Sequence, residues 1–137
     1  MGAAIFLATV ALVALFCGVR DWFFPTMFCW TPGRQHTGYY TFCLLKSQWV
    51  RADCYLLRYH VNASIPVHVD PAPEDCRHYR LNVVLRRAEG GDFVAIQRVL
   101  WSWRNRIVFF RPDITQHAVT RVRSGTRYVL SIGWLRG

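Results

Sequence analysis

The stretch MGAAIFLATVALVALFCGV, residues 1–19, decides which class of fold we expect the rest of the chain to adopt. It contains an uncharged apolar run from Ala3 to Cys17. The run is close in length to the core of a secretory signal and shorter than the roughly 20 residues of a membrane span. We therefore predict a signal peptide over residues 1–19, followed by a single lumenal domain over residues 20–137.

Two features leave other interpretations of this segment open. Its start carries no Lys or Arg, and no A-x-A cleavage site is visible, although cleavage between Cys17 and Arg20 is the prediction. An uncleaved signal anchor, with Trp22, Phe23 and Phe24 at the membrane interface, is one alternative, and a buried core helix is another. No later stretch is apolar enough to span a bilayer, so membrane attachment is expected only through a partner.

Four cysteines remain in the predicted mature chain, and all lie in its first half: Cys29, Cys43, Cys54 and Cys76. An even number of cysteines in a small secreted domain indicates disulfide bonds, and four cysteines allow three pairings. Zinc is disfavoured because the sequence contains no C-x-x-C. Asn62 begins the only N-x-S/T sequon, and in a lumenal chain we expect it to carry a glycan on a surface loop.

Strand-forming residues predict β-strands over residues 39–45, 54–61, 65–69 and 79–87, and a final hairpin within residues 119–135. Residues 93–110 fit a helical face instead, because their large apolar side chains are spaced by three and four residues. Valines and tryptophans in the same segment also permit strands. We favour a helix over residues 92–104, capped by Asp92, followed by an extended segment over residues 107–110 that ends before Pro112. The predicted fold class is therefore α+β: a small, disulfide-linked, strand-rich secreted domain with one helix after the last cysteine.

The charge of the chain is concentrated in its second half. Residues 77–137 carry twelve arginines and only three acidic residues, which accounts for the whole net charge of +9. This half is expected to attract acidic partners such as glycosaminoglycans, through a basic patch at Arg121, Arg123 and Arg127. A solvated basic face is the alternative. Nucleic acid is not expected as a partner, because the chain is predicted to enter the secretory pathway.

The sequence offers no recognised catalytic set. His68 and Asp70 lie near Ser64, but no G-x-S-x-G, P-loop or H-E-x-x-H motif accompanies them. We therefore predict no catalytic, cofactor-binding or metal-binding residues, and no enzyme. The many tryptophans, phenylalanines and arginines are typical of protein interfaces instead, so we predict a binding function.

The layout resembles the herpesvirus envelope glycoprotein L family, especially its gammaherpesvirus branch. An aromatic segment ending at Pro25 leads to Cys29, as in that family, and Cys54 and Cys76 then enclose the Asn62 sequon. The segments that complete the resemblance are Leu81-Asn82-Val83-Val84, which leads into basic residues, and the tail Trp134-Leu135-Arg136-Gly137. One departure is that Cys29 stands alone where the family branch has two adjacent cysteines.

This resemblance implies a non-catalytic accessory glycoprotein of the viral envelope. Such a chain binds and chaperones the membrane-anchored glycoprotein H and supports membrane fusion during host-cell entry, so we expect a heterodimer on the virion or host-cell surface. The implied partner interface is aromatic and consists of Trp22, Phe23, Phe24, Phe28 and Trp30. With this resemblance we expect two disulfide bonds, one between Cys29 and Cys54 and the other between Cys43 and Cys76.

A free secreted protein is the competing interpretation. Cys29-Trp30-Thr31-Pro32-Gly33 followed by strands resembles the start of cytokine-receptor-like sandwich domains, which would make the chain an immune-modulating binding module. The W-S-x-W-S motif of those domains is absent. A small glycosaminoglycan-binding secreted protein is a third interpretation, based on the arginine-rich half.

Overall fold

The computed structural model describes residues 28–137. All the regular secondary structure in this range consists of β-strands. No helix within these residues has the length and hydropathy needed to cross a bilayer. The twelve strands are β1 Trp30–Pro32, β2 Tyr39–Ser47, β3 Ala52–Tyr59, β4 Ile65–His68, β5 Arg77–Arg86, β6 Glu89–Gly90, β7 Phe93–Ala95, β8 Trp101–Trp103, β9 Ile107–Phe110, β10 His117–Val119, β11 Val122–Ser124 and β12 Arg127–Arg136.

Seven of these strands form one antiparallel sheet in the order β1-β2-β3-β12-β5-β9-β8. The long strand β12 lies at its centre and pairs with β3 on one side and β5 on the other. On β12 the buried residues Arg127, Val129, Ser131 and Gly133 alternate with half-buried ones. Because successive strand residues point to opposite sides, the sheet has an inner face, which carries these buried residues, and an outer face.

The outer face carries two rows of mainly apolar side chains that run from strand to strand through register partners. One row crosses all seven strands and consists of Trp30, Phe42, Leu56, Leu130, Val83, Ile107 and Trp103. The other crosses six strands and consists of Leu45, Cys54, Ile132, Leu81, Phe109 and Trp101. These two rows are called the outer rows below.

A second layer packs on the inner face. Strands β4, β10 and β7 form a three-stranded sheet in the order β4-β10-β7, and β11 pairs with β6 in a short ladder. The core is a buried cluster that joins both layers and includes Tyr39, Tyr59, Val84, Val119 and Val129. The fold is therefore a β-sandwich whose layers enclose both a core and, at one end, the cavity described below.

The predicted helix over residues 92–104 is wrong. This segment forms β7, a connection and β8, and Arg104 and Asn105 then make a tight turn into β9, with φ of 48° and 51°. Positive φ at both central residues, with Arg106 N–H bonded to the Trp103 carbonyl oxygen, is the hallmark of a type I′ turn, and Arg106 completes the three-residue connection to β9. Both sides of β9 are apolar, with Val108 and Phe110 pointing inward. Large apolar residues on both sides of a strand can fall three and four residues apart by chance, so the spacing over residues 93–110 imitates a helix.

The α+β, disulfide-linked fold class is therefore also wrong. The described chain is all strand, and no disulfide joins Cys29, Cys43, Cys54 and Cys76 to one another. Two of them sit on neighbouring strands: Cys43 points inward and is paired in register with Tyr55, whereas Cys54 is paired with Leu45 on the outer face. Inner and outer positions place these two side chains on opposite sides of the sheet, and packing holds the domain together instead.

Several strands are confirmed. The predicted strands over residues 39–45, 54–61, 65–69 and 79–87 correspond to β2, β3, β4 and β5, and residues 127–135 lie within β12. The extended segment over residues 107–110 coincides with β9. The predicted final hairpin forms differently, because β12 pairs with β3 and β5 and not with the preceding β11. The predicted signal peptide, and Trp22, Phe23 and Phe24 of the predicted partner interface, lie outside the described residues.

Candidate metal centre

Two adjacent strands of the second layer bring two histidines and one aspartate together. His68 ends β4, His117 begins β10, and the two residues are register partners in the antiparallel pair. Asp70 follows His68 by two residues, and both side chains line the cavity, whereas Val69 between them is exposed. Positions two apart in an extended segment point the same way. A pair close in sequence is thus completed by a residue 47 positions later in the chain.

The three side chains meet within metal-binding range. Their ligand atoms all lie within 4.8 Å of one another. His68 Nε2 is 3.8 Å from Asp70 Oδ1, and His117 Nε2 is 3.9 Å from Asp70 Oδ2. The centres of the two imidazole rings are 4.3 Å apart. This is the one cluster of three such groups found in residues 28–137.

Backbone carbonyls fix the tautomers of both imidazoles. His68 Nδ1 lies 2.8 Å from the carbonyl oxygen of Pro66, and His117 Nδ1 lies 2.8 Å from that of Thr115. A carbonyl oxygen can only accept, so each Nδ1 carries the hydrogen and donates it. Each Nε2 is left with its lone pair directed at the cluster, which is the outer-shell arrangement that orients metal-binding histidines.

Electrostatics favours the protonation states that bind a cation. Burial would raise the pKa of Asp70, but the charge and hydrogen bond of Arg34, with smaller contributions from the two imidazoles, lower it overall. Arg34 Nη2 donates to Asp70 Oδ1 at 2.6 Å, which leaves Oδ2 available. Burial is the main cause that lowers the pKa of His117. The cluster therefore presents one carboxylate and a neutral imidazole at neutral pH.

Aromatic side chains hold His117 from the other side. The ring of Phe110, which is 1 % exposed, lies 4.9 Å from the imidazole centre, and the ring of Phe93 lies 5.9 Å from it. The two phenylalanine rings are themselves 4.8 Å apart. This packing restricts the rotamer of His117 and keeps water from that side of the cluster.

The set fits a divalent transition metal. In an octahedral site with bonds of about 2.1 Å, neighbouring donor atoms are roughly 3 Å apart, so the observed 3.8 and 3.9 Å separations close with shifts of less than about 1 Å. Two imidazoles and one carboxylate are the ligand set of non-haem ferrous oxygenases. His68, Asp70 and His117 would therefore occupy one side of the metal and leave the side toward the cavity for other ligands.

The cluster opens into a cavity of about 640 Å³ between the two layers. Its wall on the inner face of the large sheet is polar, with Arg80 at its centre. Arg80 donates to the Asp53 carboxylate at 3.1 Å and to Ser131 Oγ at 2.8 Å, and Ser131 Oγ in turn donates to Asn82 Oδ1 at 2.7 Å. These groups satisfy one another and offer a wall that can hydrogen-bond a polar ligand.

A second arginine lies behind this wall. Arg127 is 6 % exposed, and its guanidinium carbon is 5.3 Å from the centre of the Tyr59 ring, which lines the cavity and stacks on Tyr39. Burial lowers the pKa of Arg127, with Tyr59 and Asp92 opposing. No carboxylate of residues 28–137 forms a salt bridge with Arg127. A buried cation without an ion-pair partner is costly, and an anion bound nearby would offset that cost.

The residues predicted from the sequence lie elsewhere. Asn62 is exposed in a turn, with φ of 72°. Phe28 is exposed, and Trp30 is half-buried beside Arg58 on the outer face. Arg121 and Arg123 are exposed, whereas the third member of the predicted basic patch, Arg127, is buried. None of these side chains belongs to the metal cluster.

The sequence did contain the first half of this site. His68 and Asp70 lie near Ser64, which suggests a serine nucleophile with its partners, but their H-x-D spacing equally suits two metal ligands on one side of an extended segment. The third ligand, His117, could not be assigned because its register with His68 is a property of the folded sheet. A short H-x-D in an extended segment, followed far downstream by a histidine in another strand, was the available signal.

Comparison with known proteins agrees with the fold. No family model and no curated protein matches the sequence. A prolyl-4-hydroxylase from Pseudomonas putida is similar in structure, with a TM-score of 0.58 and 16% identity over 93% of this chain and 85% of that chain. The cupin domain of Cnp3 from Schizosaccharomyces pombe has a TM-score of 0.55 and 7% identity over 84% of this chain and 73% of that chain.

A shorter match is the viral collagen prolyl hydroxylase of Paramecium Bursaria Chlorella virus-1, solved as a 2OG complex. Its TM-score is 0.46 and its identity 22%, and the match spans 62% of this chain and only 58% of that chain. The neighbours with TM-scores above 0.5 share the cupin-like β-sandwich with this chain, and they establish the fold alone.

These findings correct the interpretation drawn from the sequence. The resemblance to herpesvirus glycoprotein L is wrong, because the chain has a cupin-like fold and no described disulfide. The viral envelope chaperone function and the cytokine-receptor-like alternative lose their basis with it. The prediction that the chain is not an enzyme is also contradicted, because His68, Asp70 and His117 form a cluster that could hold a metal ion, in a fold that the chain shares with one bacterial prolyl-4-hydroxylase.

Proposed function

We propose that this protein is a ferrous-iron oxygenase that uses a 2-oxo acid as co-substrate, with His68, Asp70 and His117 as the metal ligands. The observation that carries the proposal is that both imidazoles donate Nδ1–H to backbone carbonyls and direct Nε2 toward one carboxylate. Two-histidine, one-carboxylate sets are characteristic of this enzyme class. The fold shared with a bacterial prolyl-4-hydroxylase supports the same assignment.

Iron bound by such a set supplies dioxygen activation, in which the 2-oxo acid loses CO₂ to become the next shorter acid while the substrate gains one oxygen atom. The chain's own residues prepare the site for this chemistry. Arg34 holds one oxygen of Asp70, so that the carboxylate keeps a single orientation. Phe93 and Phe110 fix the His117 ring and exclude water from its far side.

The co-substrate is an anion, and two inner-face arginines are candidates to bind its distal carboxylate. Arg80 lines the cavity but is already paired with Asp53. Arg127 has no salt bridge among the described residues, and it lies against Tyr59 at the cavity wall. A bidentate carboxylate would satisfy a buried guanidinium better than water can. We therefore assign Arg127 as the anchor and Arg80 as part of the hydrogen-bonding wall.

Anaerobic titration of the full-length chain with Fe(II) tests the metal site. We expect one equivalent to bind, and His68→Ala or His117→Ala to weaken binding at least 100-fold because each removes a ligand. His36→Asn is the matched control: His36 is an exposed histidine, and asparagine tolerates its φ of 53°. Equal binding by the ligand variants and the control would contradict the assignment.

Turnover tests the oxygenase. With Fe(II), dioxygen, 2-oxoglutarate and ascorbate as the reductant that takes the place of the oxidised substrate, the wild type is expected to form succinate and CO₂, and the His117→Ala variant is not. Arg127→Met should raise the KM for 2-oxoglutarate at least tenfold with unchanged Fe(II) affinity, and Arg127→Lys should restore part of it. If the protein binds Fe(II) but forms no succinate, it is a metal-binding domain of cupin-like fold, and the oxygenase proposal is wrong. If Arg80→Met raises the KM for 2-oxoglutarate more than Arg127→Met does, Arg80 and not Arg127 binds the distal carboxylate.

A further inference from the structure

The outer face of the seven-stranded sheet is a large apolar surface without a partner among residues 28–137. Its outer rows contain only aliphatic, aromatic and cysteine side chains and no charged residue. At one edge, Trp101 and Trp103 are 51 % and 46 % exposed. In a sheet with one face in water, apolar residues alternate with polar ones along each strand. Here the inner face packs against the second layer, and the outer rows are apolar as well. Leu45 is also exposed, and the other members of the outer rows are half-buried. A continuous apolar face of this kind marks a site that another segment or molecule covers.

The described chain begins on this face. The ring of Phe28 lies 6.3 Å from that of Phe42, a member of the first outer row, and Trp30 lies 5.3 Å from the same ring. The Phe28 amide also donates to the carbonyl oxygen of Cys43. The described part of the chain therefore begins beside the outer rows.

The preceding sequence has the composition and length to cover them. It provides 27 residues, including the uncharged apolar run from Ala3 to Cys17 and the aromatic residues Trp22, Phe23 and Phe24. Seven strands spaced by about 4.8 Å make a face roughly 29 Å wide. Fifteen residues measure about 22 Å even as a helix, the most compact regular form, so the run can reach across most of that face.

One buried polar atom also indicates a missing neighbour. Arg58 lies on the outer face of β3, with its guanidinium 4.2 Å from the Trp30 ring centre and 5.3 Å from that of Tyr40. Its Nε is buried and has no hydrogen-bond partner. A buried donor without an acceptor is rare in folded proteins. A backbone carbonyl of a covering segment would satisfy it.

We propose that residues 3–24 of this same chain cover the outer rows, as an integral part of the domain. In this arrangement the apolar N-terminal run acts as one side of the hydrophobic core and stays in the protein. It replaces the signal-peptide interpretation of that run, and it does not depend on the metal centre.

Photo-crosslinking of the full-length chain tests this proposal. A benzoylphenylalanine placed at Phe6 or Leu12 is expected to crosslink, within one molecule, to outer-row residues such as Leu56, Leu130 or Ile132. The same probe at Arg123, which is exposed in β11 of the other layer, is the matched control and should not reach them. Intact-mass measurement of the same samples shows whether residues 1–19 remain.

Each outcome decides the question. Intramolecular crosslinks to the outer rows in uncleaved protein support the proposal. Removal of residues 1–19, crosslinks to lipid, to a second copy or to another protein, or crosslinks to inward residues such as Val129 would overturn it.

Discussion

The two faces of the seven-stranded sheet belong to the same strands but differ sharply in chemistry. On the inner face, the register row through Ser131 runs from Tyr55 to Asn82, and Ser131 accepts from Arg80 and donates to Asn82. One residue further along each strand, the outer row contains only apolar side chains. The polar groups of the inner face suit the binding of a ligand in the cavity, whereas the apolar outer rows suit packing against another part of the protein.

Adjacent phenylalanines on β9 provide the largest test of this difference. Phe110 points inward and is 1 % exposed, whereas Phe109 points outward and stacks on Trp134 with ring centres 5.7 Å apart. Phe110→Ala is expected to lower the free energy of unfolding by about 3–5 kcal/mol, because it leaves a cavity beside His117. Urea denaturation of the full-length chain measures the loss.

Phe109→Ala sharpens the comparison because it removes the same group from the other face. If residues 3–24 cover the outer rows, Phe109→Ala should lower the free energy of unfolding almost as much as Phe110→Ala does. If the outer face is open to solvent, the decrease should be only about 1–2 kcal/mol. Only Phe110→Ala is expected to weaken Fe(II) binding as well, since Phe110 positions His117. A loss of Fe(II) affinity in both variants would contradict the division between the faces.

An intermediate effect is expected from the charge pair on the inner face. Asp53→Ala leaves Arg80, 17 % exposed, without its carboxylate, and should lower the free energy of unfolding by about 1–3 kcal/mol. The partial exposure of both partners keeps the effect below that of a fully buried pair. The double variant Asp53→Leu with Arg80→Met removes both charges and should recover most of the loss. A double variant that is no more stable than Asp53→Ala would show that the wall depends on more than this pair.

The smallest effect is expected at the rim, where Arg34 meets Asp70. Its side chain is 76 % exposed, so Arg34→Gln should lower the free energy of unfolding by less than about 1 kcal/mol at pH 7. The pKa of Asp70 is lowered in the folded protein, so this contribution is present above the ordinary carboxyl pKa and is lost as the pH falls through the folded value. Wild type and variant should therefore converge in acid. A difference that persists at pH 2 would contradict this cause.

The sequence predicted the strands whose pattern is local. The alternation in β5 and the strand-forming residues of β2 and β3 were sufficient, because one strand can be recognised without knowing its partner. The segment over β7 and β8 failed because large apolar residues on both faces of a sheet imitate a helical period. Positive φ at Arg104 and Asn105 is unusual for these residues together, so composition did not mark the turn.

The candidate site was harder to predict than the fold, and the reason is register. His68 and Asp70 are neighbours in sequence, but His117 joins them only because β4 and β10 pair in one alignment. Arg127 shows the same limit: it was grouped with Arg121 and Arg123 by proximity in sequence, yet its position at the start of β12 turns it inward. Grouping by sequence position assigns charges to a surface, whereas strand alternation decides which of them face the interior.

The carbonyls of Pro66 and Thr115 have one more consequence. They hold the two imidazole rings through the polypeptide itself, so the donor geometry does not rely on a bound ion to stay assembled. A chelator should then remove a bound metal without unfolding the protein. Small zinc domains, by contrast, unfold when they lose their metal. If the site binds Fe(II) as proposed, the metal-free protein should stay folded and should also take up cobalt or manganese, which would allow spectroscopy of the site.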